Sequence, residues 1–276
     1  MSDLQAVFLA VLQGVTELFP VSSLAHAVIV PSLLGWKIDQ AAPEFLPLVV
    51  ALHIGTALAA LVFFFHDWLA MGLAVLGRGN VVKVRRDRRM LLNIAIATIP
   101  AVVLALLFEK WIRHLFATPT VAAAVLLLNG ALLFVGERRR RQGGHRTLDQ
   151  LGWVDALWIG LWQSTALIPG MSRSGATMVA GLWRGLHHED AARFSFLIAT
   201  PIILGAGVHE LPKLMHDGFS MAAETALIAG VVAAATAFAT IWVLMRYFRG
   251  HDIKALDPFA WYCWVAGSAS LALLLT

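Results

Sequence analysis

The chain has 276 residues, of which 59% are hydrophobic and 14% charged. Soluble domains carry about 25% charged residues, so this composition excludes an ordinary soluble enzyme, a disordered chain and a nucleic-acid-binding domain. A polytopic membrane protein is the default interpretation. The formal net charge of +4 is then a topology signal, because the cytoplasmic loops of membrane proteins accumulate Lys and Arg.

Neither the N-terminus nor the cysteine content indicates an exported soluble protein. The first basic residue is Lys37, so the basic region that opens a signal peptide is missing. We therefore expect the mature protein to begin at or near Met1. The single cysteine, Cys263, excludes an intrachain disulfide and a cysteine-based metal site.

Apolar segments of membrane-spanning length recur along the chain. About 20 mostly apolar residues cross the hydrocarbon core. Six segments meet this requirement: 45–65, 90–108, 118–136, 192–210, 222–245 and 258–275. We expect each of them to be a transmembrane helix.

Two further apolar segments, 4–34 and 153–184, each carry a proline near the middle, Pro20 and Pro169. Proline breaks a helix, and broken backbone at membrane depth persists only where it is buried in protein or lines a wet cavity. We interpret each segment as a re-entrant helix pair that returns to the face from which it entered.

The two broken segments resemble each other. Gln13 precedes Ser22 by nine residues, and Gln163 precedes Ser172 by the same nine, at a constant offset of 150. Each segment is followed by three spans, and an odd number of crossings inverts the second half relative to the first. The sequence therefore predicts an all-α polytopic membrane protein, with six transmembrane helices and two re-entrant helix pairs in an inverted-topology repeat. It forms one integral membrane domain, 1–276, with repeats at about 1–140 and 150–276.

Charge supports this topology. The predicted loops 66–89, 137–152 and 246–257 fall on one side and hold fourteen Lys and Arg residues, against four on the other side. Those four are Lys37, Lys110, Arg113 and Lys213. The richer side is predicted to be cytoplasmic, so the first broken segment enters from outside and the second from the cytoplasm.

Three glycines in the predicted spans suit close helix approach. They are Gly205, Gly207 and Gly230. The sequence leaves open whether they pack within one chain or in a homodimer.

Polar side chains are concentrated in the first broken segment. They are Gln13, Thr16, Glu17, Ser22, Ser23 and His26. Ionisable residues at membrane depth usually face a functional cavity. A turn at Pro20 would bring Glu17 towards Ser23 and His26, and would assemble the parts of an activated nucleophile. The alternatives are structural: Ser22 is a natural N-cap, Ser23 a second capping hydroxyl, and Glu17 and His26 satisfied hydrogen-bonding groups.

The second broken segment carries Ser172, Arg173, Ser174 and Thr177 just after Pro169. A helix N-terminus suits phosphate binding, and arginine adds bidentate recognition of oxygen. A Walker-type nucleotide loop is missing from the sequence. The alternative is a buried ion pair between Arg173 and Glu17 alone, and both interpretations place these two residues close together.

A motif in each broken segment resembles a signature of a known family. QGVTELFPVSSLAH at residues 13–26 and PGMSRSGAT at residues 169–177 are similar to the two signatures of the undecaprenyl-diphosphate phosphatases, the bacitracin-resistance family. The resemblance extends over essentially the whole chain and includes His53-Ile-Gly55-Thr. Two motifs in the expected order make it specific.

The resemblance implies an integral membrane phosphatase that removes the terminal phosphate of undecaprenyl diphosphate. The product, undecaprenyl phosphate, is the lipid carrier for peptidoglycan and other wall polymers. The resemblance also implies a place in the bacterial cytoplasmic membrane, an active site facing the outer side, and help from a divalent cation, Mg²⁺ or Ca²⁺. The expected partners are the polyprenyl diphosphate and membrane lipid, and no nucleic acid.

Carried over residue by residue, the resemblance gives each polar residue a role. Glu17 belongs to the acidic motif and is the candidate cation ligand, Ser23 is the expected nucleophile, and His26 assists it. Arg173 would hold the diphosphate together with the predicted substrate-binding residues, which are Gln13, Ser22, Ser172, Ser174 and Thr177. The nucleophile stays open among Ser23, His26 and water. Gln13 stands where many members have a second glutamate, which puts cation binding by two carboxylates in doubt.

The alternative function is a flippase or transporter of a polyprenyl phosphate, because inverted repeats with broken helices are a transporter plan. Glu17 and Arg173 would then form a binding pair exposed alternately to each side. Phosphate release in detergent separates the two functions, because detergent abolishes vectorial transport and leaves hydrolysis. A purely structural membrane subunit gives no reason for two hydroxyl-rich broken helices.

Overall fold

The computed structural model describes residues 1–36, 45–108, 118–140, 146–216 and 222–276. Within these ranges the chain is helical, and its one β-type pairing is an isolated bridge between Arg146 and Leu186. The helices are α1 Asp3–Thr16, α2 Ser23–Leu33, α3 Phe45–Phe63, α4 Phe65–Val75, α5 Val81–Leu107, α6 Pro119–Arg138, α7 Trp153–Gln163, α8 Arg173–Trp183, α9 His188–His216, α10 Ala222–Gly250 and α11 Asp257–Leu275.

Several helices have the length and composition of membrane spans. The helices α5, α6, α9, α10 and α11 each qualify alone, and α3 with α4 makes a sixth when counted as one bent span. These two helices meet at Phe64 with a bend of 74°. The prediction of an all-helical chain with several helices long and apolar enough to span a membrane is confirmed for the described residues.

The predicted loop 66–89 is wrong, because most of it is helical. Helix α4 continues to Val75, and α5 begins at Val81. The side chain of Asn80 accepts a hydrogen bond from Val82 N at 2.9 Å and so caps α5. The basic residues of this stretch from Lys83 to Arg89 therefore lie in α5, which is compatible with the good intrinsic helix propensity of Lys and Arg.

Both predicted helix breaks are present. Helix α1 ends at Thr16 and α2 begins at Ser23, while α7 ends at Gln163 and α8 begins at Arg173. A 3₁₀ turn, Ser164–Leu167, lies within the second break. In the first break Leu18 and Val21 belong to the main buried core, and in the second break Ser164 and Ser172 are buried, so both stretches of broken backbone are in large part enclosed by protein.

The unbroken helices form the frame that holds the two broken segments. Helix α3 packs along α10 and α6 along α11, while α2 and α8 both pack on α6. A Cβ on Gly55 of α3 would collide with the carbonyl oxygen of Gly230 on α10, so these backbones touch. Gly207 likewise faces Ile54 within the chain, whereas a Cβ on Gly205 would have no described neighbour within 4 Å.

Basic residues at one end of the bundle form ion pairs with carboxylates. Arg138 binds Asp257 at 2.9 Å, Arg140 binds Asp252 at 2.8 Å, and Arg249 binds Glu189 at 3.0 Å. These pairs join the ends of α6, α9, α10 and α11, and so connect both halves of the sequence. Of the basic residues used to predict topology, Lys37, Lys110, Arg113, Arg141 and the side chain of Lys213 lie outside the described residues.

Candidate active site

The first helix break places a carboxylate beside a hydroxyl. Ser23 Oγ donates a 2.6 Å hydrogen bond to Glu17 Oε2, and Gln13 Nε2 donates to the same oxygen at 3.1 Å. Gln13 reaches Glu17 because residues four apart share one helix face. Ser23 reaches it because the chain turns at Pro20 before α2 begins. The hydroxyl is held by a carboxylate that a second side chain orients, which is the arrangement of a nucleophile and its base.

The second break brings an arginine to the other oxygen of that carboxylate. Arg173 is the first residue of α8, and its Nη2 donates to Glu17 Oε1 at 3.2 Å. Its Nη1 donates to the carbonyl oxygen of Ser195 on α9 at 3.2 Å. The Nε–H is buried and has no hydrogen-bond partner among the described residues. The guanidinium of Arg173 therefore has hydrogen-bonding capacity that the described residues do not use.

These residues line a cavity of about 650 Å³. Its polar lining consists of Gln13, Glu17, Ser22, Ser23, Ser32, His53, Gln163, Ser172 and Arg173. The rest of the wall is almost entirely apolar, with side chains mainly from α1, α2, α3, α9 and the 3₁₀ turn after α7. A molecule with an anionic head and an apolar tail suits such a cavity.

His26 is placed away from this cavity, contrary to the prediction that a turn at Pro20 brings it to Glu17 and Ser23. Its Nδ1–H donates to Ser22 O at 2.7 Å, and its Nε2 lies 2.7 Å from the hydroxyl of Tyr262. The ring stacks on Tyr262 with centroids 5.7 Å apart. Both ring nitrogens are occupied, because the helical turn after the break directs this side chain to α11.

The serine before each second helix is an N-cap. Ser22 Oγ accepts from Ala25 N at 3.3 Å, and Ser172 Oγ accepts from Gly175 N at 3.1 Å. The structural alternative for Ser22 is thus confirmed, although both serines also line the cavity. Ser22 has a φ of +67°, which is strained for a residue other than glycine.

Ser174 and Thr177, predicted to bind substrate, are buried beneath the cavity wall. Ser174 Oγ donates to Phe19 O at 2.9 Å and so ties the two breaks together. Thr177 Oγ1 lies 2.7 Å from Ser195 Oγ and donates to Arg173 O at 2.8 Å. The helix turns both hydroxyls away from the cavity. Thr177 thereby holds the backbone of Arg173, and Ser174 holds the first break against α8.

Three residues at or near the site were not predicted as site residues, although the sequence motifs include two of them, His53 and Gln163. His53 lines the cavity and interacts electrostatically with Glu17. Gln163 also lines it, with its Oε1 buried and unpartnered among the described residues. Asn129 lies behind the wall and bonds to both breaks. The available signal was a polar residue inside an apolar span, which marks a functional position in membrane proteins.

The donor set around Glu17 does not fit a resident divalent cation. Both carboxylate oxygens already accept hydrogen bonds, from Arg173 on one side and from Gln13 and Ser23 on the other. Within the described parts of the chain no group of three or more His, Cys, Asp or Glu side chains could hold a metal ion. Mg²⁺ and Ca²⁺ require several oxygen ligands, which these side chains do not supply by themselves, and the involvement of a divalent cation stays a prediction.

A family model described as "Bacitracin resistance protein BacA" matches residues 6–269. That match covers nearly the whole chain, including both breaks. The chain belongs to this family.

Curated relatives extend over the same length. A protein of Acidiphilium cryptum named undecaprenyl-diphosphatase is 53% identical, with 99% of each chain covered. One of Granulibacter bethesdensis with the same name is 48% identical, over 99% of this chain and 97% of that protein. A Chromobacterium violaceum protein named undecaprenyl-diphosphatase 2 is 46% identical over 98% of each. The family resemblance predicted from the two motifs is confirmed.

Proposed function

We propose that this protein is a membrane hydrolase that converts undecaprenyl diphosphate and water into undecaprenyl phosphate and phosphate. It thereby recycles the lipid carrier of cell-wall synthesis and contributes to bacitracin resistance. The names of the relatives support the reaction, and family membership supports the resistance. The observation that carries the proposal is the hydrogen-bonded group of Glu17, Ser23 and Arg173 in the wall of a largely apolar cavity.

The cavity accounts for both ends of the substrate. A diphosphate is polyanionic and cannot lie in hydrocarbon, so it needs the positive charge of Arg173. The free Nε–H of that side chain supplies a donor that is not already engaged. The apolar wall takes the first part of the polyprenyl chain, and the remainder extends into the lipid.

The first chemical step uses Ser23 as nucleophile. Its Oγ attacks the terminal phosphorus while Glu17 accepts the hydroxyl proton. The bond from that phosphorus to the bridging oxygen breaks, and undecaprenyl phosphate leaves with the electron pair. Arg173 stabilises the charge on the transferred phosphoryl group, which is the main source of catalysis in phosphoryl transfer.

The second step releases phosphate. Glu17 first passes the serine proton to the departing undecaprenyl phosphate and is a carboxylate again. A water molecule then gives a proton to Glu17 and attacks the phosphorus of the phosphoserine. The bond from phosphorus to Ser23 Oγ breaks, Glu17 returns the proton to that oxygen, and inorganic phosphate departs. Direct attack by water on the substrate needs the same base and the same arginine. The bond from Ser23 to Glu17 at 2.6 Å favours the serine route over one through His26, whose ring nitrogens are both engaged.

The topology we propose has six spans, two re-entrant pairs and a site that opens to the outer side of the bacterial cytoplasmic membrane. The ends rich in Arg lie in the cytoplasm. Related packing in the two halves supports an inverted repeat. Gly14 of α1 packs against the backbone of α10 at Ala233, while Gly160 of α7 packs against that of α5 at Ala97. Each first re-entrant helix thus contacts the second span of the opposite half.

The test is phosphate release from undecaprenyl diphosphate by the purified protein in detergent. We expect multiple turnovers, with inorganic pyrophosphate a much poorer substrate because it lacks the apolar tail. A protein that binds the lipid and releases no phosphate would contradict hydrolysis and favour the transport alternative, since detergent leaves no membrane across which lipid can move.

A further inference from the structure

An asparagine lies within an apolar membrane-spanning helix, behind the cavity. Asn129 is near the middle of α6 and is fully buried. An unpaired amide in such a place is costly, so its partners show what it holds. Its Nδ2 donates to Pro20 O at 2.9 Å, and its Oδ1 accepts from Ser172 N at 3.0 Å. The same Nδ2 contacts Cys263 Sγ at 3.3 Å.

These contacts fix the orientation of the amide. A carbonyl oxygen such as that of Pro20 only accepts, and a backbone N–H such as that of Ser172 only donates. Rotating the Asn129 amide by half a turn would therefore break both bonds. One planar side chain therefore hydrogen-bonds, through its two ends, to two backbone groups from opposite halves of the sequence.

The two groups are the ones that set the reacting side chains. Pro20 lies three residues from Glu17 and three from Ser23, and Ser172 directly precedes Arg173. Each group lies in a broken backbone, where helical partners are lost. Asn129 supplies those partners from a third helix and so fixes one break relative to the other.

We propose that Asn129 is a positioning residue, which sets the distance between Arg173 and the Glu17–Ser23 pair by hydrogen bonding to both helix breaks. The proposal rests on the proposed hydrolase function and adds a residue that does not line the cavity. Misplacing reacting groups by about 1 Å costs on the order of 100-fold in rate. Loss of Asn129 should therefore lower kcat much more than it changes KM.

The test compares Asn129→Leu with the matched control Asn93→Leu. Asn93 is also a buried intramembrane asparagine, at 1% exposure, and it donates to Leu151 O at 2.9 Å just before α7. It does not line the cavity. Both variants leave a backbone group without its side-chain partner, Leu151 O just before the second broken segment in Asn93→Leu and Pro20 O and Ser172 N in Asn129→Leu, but only the latter groups lie next to the active site.

We expect Asn129→Leu to reduce kcat for phosphate release by about 10- to 100-fold with KM within about threefold. Hydrogen exchange at the Ser172 amide should also become faster. Asn93→Leu should change neither kcat nor that exchange rate, even if it lowers the Tm. An unchanged kcat in Asn129→Leu, or an equal fall in both variants, would overturn the proposal. So would a fall in kcat while the Ser172 amide stays protected.

A second variant covers the case in which Asn129→Leu does not fold. Burial raises the pKa of a carboxylic acid, and in its protonated form the side chain of Asn129→Asp can accept from Ser172 N and donate to Pro20 O. Its kcat relative to wild type should rise as the pH falls and the acid becomes fully protonated. Cys263 faces residue 129 in both proteins, so its own titration largely cancels in the ratio. A ratio independent of pH would contradict the positioning role.

Failure of the proposed function gives a different result. In that case the wild-type protein releases no phosphate, and the exchange measurement alone judges Asn129. Faster exchange at Ser172 in Asn129→Leu, and not in Asn93→Leu, would still support its hold on the second break. Unchanged exchange would reject it.

Discussion

Arg173 Nη2 donates to Glu17 Oε1 at 3.2 Å, and this bond joins the two broken segments through residues 156 positions apart in the chain. The two side chains are 11% and 8% exposed. A buried ion pair adds little to stability, because desolvation of both charges offsets their attraction. The pair is better explained by the polyanionic substrate, which would compete with Glu17 for the arginine and free the carboxylate to act as a base.

Glu17→Gln tests the base directly. The amide keeps the shape of the side chain but cannot accept the Ser23 proton, so kcat should fall by about 10²- to 10⁴-fold. Glu189→Gln is the control, because Glu189 pairs with Arg249 at the basic end of the bundle, outside the cavity. Phosphate release from undecaprenyl diphosphate is the measurement, and a Glu17→Gln protein within about tenfold of wild type would remove the carboxylate from the mechanism.

Ser23→Ala and Ser22→Ala separate a nucleophile from a cap. Ser23→Ala should lower kcat by at least about three orders of magnitude, because removal of a nucleophile can cost up to about 10⁶-fold. Ser22→Ala removes a helix cap worth about 1 kcal/mol, so it should lower the Tm while kcat stays close to wild type. Acid quenching during turnover should trap phosphoserine at Ser23. A Ser23→Ala protein that keeps substantial turnover would favour direct attack by water.

Substitution of His26 should affect mainly the Tm, whereas substitution of His53 should affect mainly kcat/KM. His26 binds Ser22 O and Tyr262 outside the cavity, so His26→Gln should lower the Tm and keep most of the activity. His53 lines the cavity, and its Nδ1–H is held by Val49 O at 2.9 Å, which leaves Nε2 as its remaining polar atom. His53→Gln should reduce kcat/KM more than His26→Gln does. The reverse order in a steady-state assay would restore His26 as the assisting residue.

Gln13→Glu should create a cation requirement that the natural residue does not support. Gln13 Nε2 donates to Glu17, so a second carboxylate there would repel the first and favour a divalent ion between them. Titration calorimetry with Mg²⁺ alone should show saturable binding for Gln13→Glu and none for wild type. Saturable binding of Mg²⁺ to wild type would show that Glu17 belongs to a resident site.

The pH dependence of stability can be checked at the opposite end of the bundle. Burial acts to raise the pKa of Asp252, but hydrogen bonds from Arg140 and His188 outweigh it and hold the pKa well below its ordinary value. A lowered pKa in the folded state stabilises the protein above the unfolded pKa of about 3.9, and this contribution is lost as the pH falls through the folded value.

Asp252→Asn should therefore lower the Tm by a similar amount at pH 7 and at pH 5.5, with the difference shrinking below about pH 4. Phosphate release at pH 7 should be unaffected. Asp149→Asn is the control, because that carboxylate is half exposed and lies 3.6 Å from Arg86. Equal thermal stability of Asp252→Asn and wild type at pH 7 would show that the ion pairs around Asp252 contribute nothing.

Local chemistry made the helix breaks and their caps predictable. Pro20 and Pro169 each lie in a helix break, whereas Pro100 and Pro201 are accommodated inside α5 and α9. Ser22 is a capping residue by its nature. The meeting of Glu17 with Arg173 was also predictable, because an unpaired charge at membrane depth requires a partner. These features depend on a few neighbouring residues or on one strong energetic rule.

Other features depend on tertiary packing and could not be predicted in the same way. The direction of His26 is set by Tyr262, which lies 236 positions away. The role of Asn129 follows from two backbone groups that only the assembled fold brings to α6. The composition of residues 66–89 predicts a loop, because charged residues favour exposed positions. Lys and Arg are also good helix formers, so the same residues suit a helix that extends beyond the membrane.

The most direct measurement of the central claim is phosphate release from undecaprenyl diphosphate by Arg173→Ala, compared with Arg193→Ala. Arg193 pairs with Asp67 outside the cavity and is 41% exposed, so it matches the loss of charge without touching the site. The site described above predicts at least about a 100-fold loss of kcat/KM for Arg173→Ala and near wild-type activity for Arg193→Ala. Folded Arg173→Ala protein that releases phosphate at the wild-type rate would contradict it.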